Sequence, residues 1–246
     1  MHFAKAPEGS AKELYGKLCA ADFDAGALRK ELEAGKYGAE AVNLAALEYA
    51  DACAFDVDHG KNTWDQYAPG ETVPGRGSSH LAEAVGLLLD FGLDPNRIFR
   101  AEDGRGGFNE YNIMDKVLGV YNGYEAADAL YLMLERGGDP NLMIGSDELS
   151  TEIDYDMGSD TLSRKNGVSG LMYGAKVHCW FVLVGFRAER GQENLEMLVQ
   201  PVDGFNLANL KNHRQYYAGA VHSDRTEEGW DLVVFDRKTN WEVARY

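Results

Sequence analysis

The residues of this chain whose types could do chemistry are few: His178 and Cys179, His213, the acidic pairs Asp56-x-Asp58 and Asp154-x-Asp156, and the stretch GRGSSH from Gly75 to His80. A thiol beside an imidazole can serve a nucleophile or a metal ion. Cys179 could pair with His213, with an Asp to orient the ring, but it opens the apolar run CWFVLVGF, where a thiolate is disfavoured, and no strand-turn-helix elbow surrounds it. Read as part of a strand, His178 and Cys179 point to opposite faces and cannot share one ion. The acidic pairs have the spacing of the first ligands of a calcium loop, yet neither is followed by the glycine and terminal glutamate that such a loop needs. GRGSSH precedes a helix and could cradle a phosphate, but the Walker lysine is missing and no G-x-G-x-x-G follows a strand. Ser78 or Ser79 is better read as a helix cap. No catalytic residue, metal set or cofactor is therefore expected, and no small-molecule ligand is indicated.

Aromatic side chains on polar stretches are stronger leads. Trp64 and Tyr67 lie in a long non-periodic stretch between Phe55 and Ser79, and Phe108 and Tyr111 close the segment IFRAEDGRGGFNEY. Large aromatics on loops either anchor a partner or pin the loop to its own domain, and both readings stay open. Charge adds direction. The net charge is −16, and residues 51–160 hold 22 Asp/Glu against 7 Lys/Arg, so nearly all the excess lies in that segment. Such a field repels nucleic acid and anionic membrane and steers a basic protein inward, although it also serves solubility alone. Asp103, Asp147, Glu148, Asp154 and Asp156, with Trp64, Tyr67, Phe108 and Tyr111, are the expected protein-binding residues.

The elements that must position them announce themselves by repetition. LLLDFGLDPN, Leu87 to Asn96, returns as LMLERGGDPN, Leu132 to Asn141. Upstream, Leu81, Ala84, Val85 and Leu88 recur at i, i+3, i+4 and i+7, as do Ala126, Ala129, Leu130 and Met133, so each phrase holds an amphipathic helix. Gly92 and Gly137 stand where a left-handed residue closes a helix, and Asp-Pro-Asn prevents continuation. Asn122, three residues before Glu125, gives the second helix a capping-box start. DAGALRKELEAG, Asp24 to Gly35, ends in the same way, and AEAVNLAALEYADA, Ala39 to Ala52, would open the next helix pair.

These phrases resemble the ankyrin repeat, whose second helix ends in a similar turn before a β-finger. The resemblance implies paired antiparallel helices with a period of about 33, and covers residues 10–155. The opening signature is degenerate: NIMDKV, Asn112 to Val117, keeps a capping residue and lacks the proline and histidine. A spacing of 45 between the two phrases exceeds the norm by about 12, which the segment Ile98 to Tyr111 would carry in part as an enlarged finger. A generic helical hairpin is the alternative.

Beyond residue 160 the pattern changes. KVHCWFVLVGF (Lys176 to Phe186), LEMLVQPV (Leu195 to Val202), WDLVVFD (Trp230 to Asp236) and WEVARY (Trp241 to Tyr246) read as four strands in two hairpins, joined by ERGQEN and by RKTN, with LANLKNHRQYY, Leu207 to Tyr217, as a short helix between them. His213, beside Lys211 and Arg214, falls on a basic face of that helix. KVHCWFVLV, LKNHRQYY and FDRKTNWEVARY are similar to the ending of a set of uncharacterised bacterial proteins with ankyrin-like repeats, which implies bacterial origin and residence in the cytoplasm and supplies no activity.

The expected fold class is thus α+β: residues 1–155 form ankyrin-like helical pairs with an insertion at about 55–79, and residues 156–246 form a β-rich part that caps them. No run reaches the roughly 18 apolar residues of a membrane span, the first residues lack a secretory apolar core, and three cysteines show no disulfide spacing, so a reducing cytoplasm is expected. Function is expected to be non-catalytic protein binding, in concrete form a bacterial immunity protein that neutralises a basic toxin. Two alternatives stand beside it: a hydrolase or transferase that uses His178 or His213 with carboxylates of residues 147–160, and a homo-oligomeric scaffold.

Overall fold

A computed structural model of the chain describes residues 9–55, 80–102, 105–120, 123–145, 147–148, 169–171, 174–191, 199–222 and 230–245, a mixture of helices and short antiparallel strands. Backbone contacts separate Met1–Ser150 from Thr151–Tyr246, and each unit is described by itself. Among the described residues no helix is long and apolar enough to cross a membrane.

The first unit contains α1 (Gly9–Leu18), α2 (Ala25–Glu33), α3 (Ala39–Phe55), α4 (Leu81–Asp90), α5 (Ile113–Leu118) and α6 (Gly123–Glu135). Two hairpins follow α4 and α6: β1 (Phe99–Glu102) with β2 (Phe108–Tyr111), and β3 (Met143–Ile144) with β4 (Asp147–Glu148). Helices α1, α3 and α5 pack in succession, and α2, α4 and α6 pack beside one another in the same order. The apolar periodicity explains this layering. Leu81, Ala84, Val85 and Leu88 of α4 and Ala126, Ala129, Leu130 and Met133 of α6 are all buried.

Helices α2, α4 and α6 end alike. Gly35, Gly92 and Gly137 have φ of +71°, +98° and +99°. After each, an amide reaches back to the helix: Lys36 N–H to Glu31 O at 3.2 Å, Leu93 N–H to Leu88 O at 3.0 Å, and Gly138 N–H to Met133 O at 2.9 Å. These are Schellman closures, which require a residue at ease with positive φ. The Asp-Pro-Asn turns then fold on their own aspartates, with Asn96 N–H on Asp94 Oδ1 at 2.9 Å and Asn141 N–H on Asp139 Oδ1 at 3.0 Å.

Asparagine amides join successive layers. Asn43 Nδ2 donates to Gly92 O at 2.8 Å while its Oδ1 accepts from Asp94 N–H at 2.9 Å. Asn96 makes the same two bonds one layer on, to Gly137 O at 3.0 Å and from Asp139 N–H at 2.7 Å. Asn112, fully buried, caps α5 by accepting from Met114 N–H and donates to Pro95 O and Arg97 O at 2.7 and 3.0 Å. Asp90 adds two ion pairs, to Arg29 of α2 at 2.9 Å and to Arg136, just past the end of α6, at 3.2 Å.

A second internal echo lies in the first helices. Ala11, Tyr15, Cys19, Ala20 and Asp22 recur 34 residues later as Ala45, Tyr49, Cys53, Ala54 and Asp56. Tyr15 bonds the Cys19 thiol and Tyr49 the Cys53 thiol, one helical turn along; burial first, then these thiols, pushes the Tyr15 hydroxyl up to about 12 and Tyr49 higher still. From Gly35 to Gly92 the spacing is 57, so the excess over 34 matches the stretch between α3 and α4.

Two expectations about helix starts need correction or fall outside view. Helix α4 is preceded by His80, whose side chain makes no capping bond; instead Glu125 Oε2 accepts from Ala82 N–H at 3.1 Å. The His80 ring stacks on Phe23, centroids 4.3 Å apart, and its Nε2–H donates to Leu18 O. Ser78, Ser79 and Asn122 lie outside the described residues.

The second unit differs more from the sequence reading. Its five-stranded antiparallel sheet has the order β5 (Ser169–Leu171), β7 (Tyr216–His222), β8 (Trp230–Asp236), β9 (Glu242–Arg245), β6 (Gln200–Pro201). The segment Lys176 to Phe186, expected as a strand, belongs to helix α7 (Gly174–Glu189). Val177, Trp180, Phe181 and Val184 lie at helical spacing and pack with Tyr216, Leu232, Val234 and Ala244 of the sheet. Cys179, Val182, Leu183 and Phe186 are buried as well, so residues 177–186 are buried on every side and show no exposed polar stripe. The first expected hairpin therefore does not exist. The second does: β8 turns into β9 through Asp236, whose Oδ1 accepts from Lys238 and Thr239 N–H at 2.8 Å each. Leu207 to Tyr217 is two 3-10 turns, Leu207–Lys211 and His213–Gln215, that run into β7.

Candidate functional site

Exposed apolar side chains locate the surface with most to gain from a partner. On the first unit's described residues the large exposed ones are Phe108, 65% exposed, and Met143, 49% exposed. They stand on successive hairpins. In β1–β2 the register sets Phe108 opposite Glu102 and Glu110 opposite Arg100; in β3–β4 it sets Met143 opposite Glu148. Cross-strand partners share a face, and alternate residues of one strand do too. One face of the first finger therefore carries Phe108, Glu102, Glu110 and Arg100. Glu102 is exposed and makes no ion pair among the described residues.

The two fingers touch through Glu110. Its Oε2 accepts from Gly145 N–H, in the turn of the second finger, at 2.8 Å, and its Oε1 accepts from Arg100 Nε. The Gly145 amide first and Arg100 next hold this carboxyl below the usual carboxylate range. The opposite face of the first finger leans on charge of the other sign: Arg97 lies over the Phe99 ring at 4.8 Å and Lys116 over the Tyr111 ring at 5.0 Å.

With 22 Asp/Glu against 7 Lys/Arg, residues 51–160 hold too few cations of their own to balance their acids. Arg97 pairs with Glu40, Arg100 with Glu110, Lys116 with Asp51 and Arg136 with Asp90. Among the described residues each of these four bases is paired with a carboxylate.

Of the residues expected to bind a protein, Phe108 is exposed and Tyr111 is half-buried beside Lys116. Asp147 and Glu148 form β4 in the second finger. Trp64, Tyr67, Asp103, Asp154 and Asp156 lie outside the described residues. Glu110 and Met143 were not singled out by sequence, because a carboxylate among many and a lone methionine carry no local signal.

The histidines form a different arrangement from the one expected. His178 and Cys179 are consecutive on a helix, both buried, and His213 is core rather than part of a basic face. His178 Nδ1 and His213 Nδ1 are 3.2 Å apart, so one ring donates its N–H to the other. Burial, then His213, Arg237 and Arg214, lowers the His178 pKa to about 3. Nearby Lys211 pairs with Glu189. Among the described residues no three His, Cys, Asp or Glu side chains gather in a way that could hold a metal ion.

Among the second unit's described residues the large exposed apolar ones are Val202 and Trp241, the latter 77% exposed at the β8–β9 turn. No family model matches this chain, and neither a curated protein nor a solved structure matches it.

Proposed function

We propose that this chain is a non-catalytic protein-binding protein whose ankyrin-like helical pairs present two hairpin fingers to a basic protein. The observation that carries the reading is the placement of Phe108 and Met143, exposed on successive fingers, inside the segment that holds almost all of the net negative charge. Aromatic and methionine side chains are the usual apolar anchors of interfaces, and a one-signed field around them speeds the approach of an oppositely charged partner.

Three features support the ankyrin-like part of the reading. The second helices close on the same glycine motif, the asparagine amides bridge one layer to the next, and the first helices echo at a spacing of 34, against about 33 for that family. In its concrete form the partner is a basic toxin and the chain a cytoplasmic bacterial immunity protein. Affinity capture on the intact chain from its native cell, followed by titration of the recovered protein against salt, tests this. A basic protein whose binding weakens as salt rises supports the proposal; a captured protein that is acidic, or binding indifferent to salt, contradicts it.

A further inference from the structure

Resting on the binding reading above, a further role falls to Glu110. The second finger has two residues in each strand, too few to hold a hairpin by themselves. Its turn residue Gly145, at φ +67°, gives its N–H to Glu110, which stands two residues from Phe108 on the first finger; Gly145 stands two residues from Met143. The same carboxylate is braced from below by Arg100, its cross-strand partner, and its side chain is 18% exposed. We propose that Glu110 is a positioning residue that fixes Phe108 and Met143 into one two-point docking surface for a cationic protein bearing two apolar sites flanked by Lys or Arg.

The physics favours such a tie. Two anchors held on one rigid body lose their conformational freedom once, before the partner arrives, whereas two independent fingers would each lose it on binding. Glu110 is occupied on both oxygens by its own chain. A carboxylate that stands beside Phe108 for the partner's cations is Glu102, its cross-strand neighbour.

The test reads the tie and the docking separately. Amide exchange of Gly145, followed by NMR in the full chain, should quicken about tenfold or more in Glu110→Ala, with the helical circular dichroism retained, as expected for loss of a charge-assisted hydrogen bond. Glu110→Gln, with a neutral acceptor, should quicken it by less, and gives a second reading should the alanine variant lose its helices. Phe108→Ala should leave it unchanged. With a cationic Lys/Leu amphipathic peptide as probe, Phe108→Ala and Met143→Ala should be coupled in the wild-type background and additive in Glu110→Ala. Unchanged Gly145 exchange in a folded Glu110→Ala, or additive losses in the wild-type background, would overturn the positioning role. A probe that does not bind at all counts against the docking surface itself.

Discussion

His178 and His213 meet ring to ring inside the second unit, Nδ1 to Nδ1 at 3.2 Å, with the ring planes 73° apart. The contact needs one Nδ1–H and one Nδ1 lone pair, so it forms with no charge on His178. A proton on His178 would face His213, Arg237 and Arg214 without water to shield it, and this is why its pKa falls to about 3. In the unfolded chain the same ring titrates near 6.5. The unfolded state therefore binds the proton first as pH drops, and stability present above about 6.5 is lost progressively toward 3 at about 1.4 kcal/mol per pH unit. Urea melts of the second unit between pH 7 and 5 should show a loss of about 2 kcal/mol. In His178→Leu that slope should flatten, while stability at neutral pH falls by about 1–3 kcal/mol because the buried hydrogen bond between the two rings is lost. A slope unchanged by the substitution would assign the acid sensitivity elsewhere.

Gly185 lets the turn Leu207–Lys211 approach α7. A Cβ there would lie 2.2 Å from the Lys211 nitrogen and 2.8 Å from its Cα, and neither backbone atom can move alone. Gly185→Ala should cost about 3 kcal/mol or more. Tryptophan fluorescence in denaturant measures it, since Trp180, Trp230 and Trp241 all belong to the second unit. A change within about 0.5 kcal/mol would mean that the helix and the turn are less closely packed than described.

Asn112 joins the turn Asp94–Arg97 to α5 with three hydrogen bonds and has no exposed surface. Asn112→Ala removes a cap and strands two carbonyls, for an expected loss of about 3 kcal/mol in the first unit. Asn112→Asp keeps the cap but sets a buried acceptor oxygen against both carbonyls, so it should cost at least as much as alanine at neutral pH. Thermal melts followed by circular dichroism rank the three, and an aspartate variant as stable as wild type would deny the donors their role.

What was legible in the sequence was what local chemistry dictates. Gly92 and Gly137 announced positive φ because a helix must end before Asp-Pro, and Leu81, Ala84, Val85 and Leu88 announced a face because their spacing is helical. Helix α7 was hidden for a physical reason: residues 177–184 are buried on every side, so no polar face marks the period, and a β-branched apolar run reads as a strand. The spacing Val177, Trp180, Phe181, Val184 was there to be seen. Tyr15 with Cys19 and Tyr49 with Cys53 were also legible, but cysteines invite a search for bridges rather than for periodicity. Glu110 could not be read at all, since its meaning depends on a glycine 35 residues away that only the fold brings near.

The strength of the anchors can be stated for each side chain. Phe108→Ala and Met143→Ala each delete an exposed apolar group and touch little of the core, so both variants should melt within about 0.5 kcal/mol of wild type. Loss of stability larger than that would mark them as structural instead.

Central to the whole account is that the fingers bind a basic protein, and one measurement meets it directly: the affinity of the partner captured from the native cell for wild type, Phe108→Ala, Met143→Ala and Glu102→Lys, at low and high salt. The account predicts a loss of about tenfold or more for each anchor variant, slower association for Glu102→Lys, and weaker binding as salt rises. Affinity that stays the same in all three variants would contradict it.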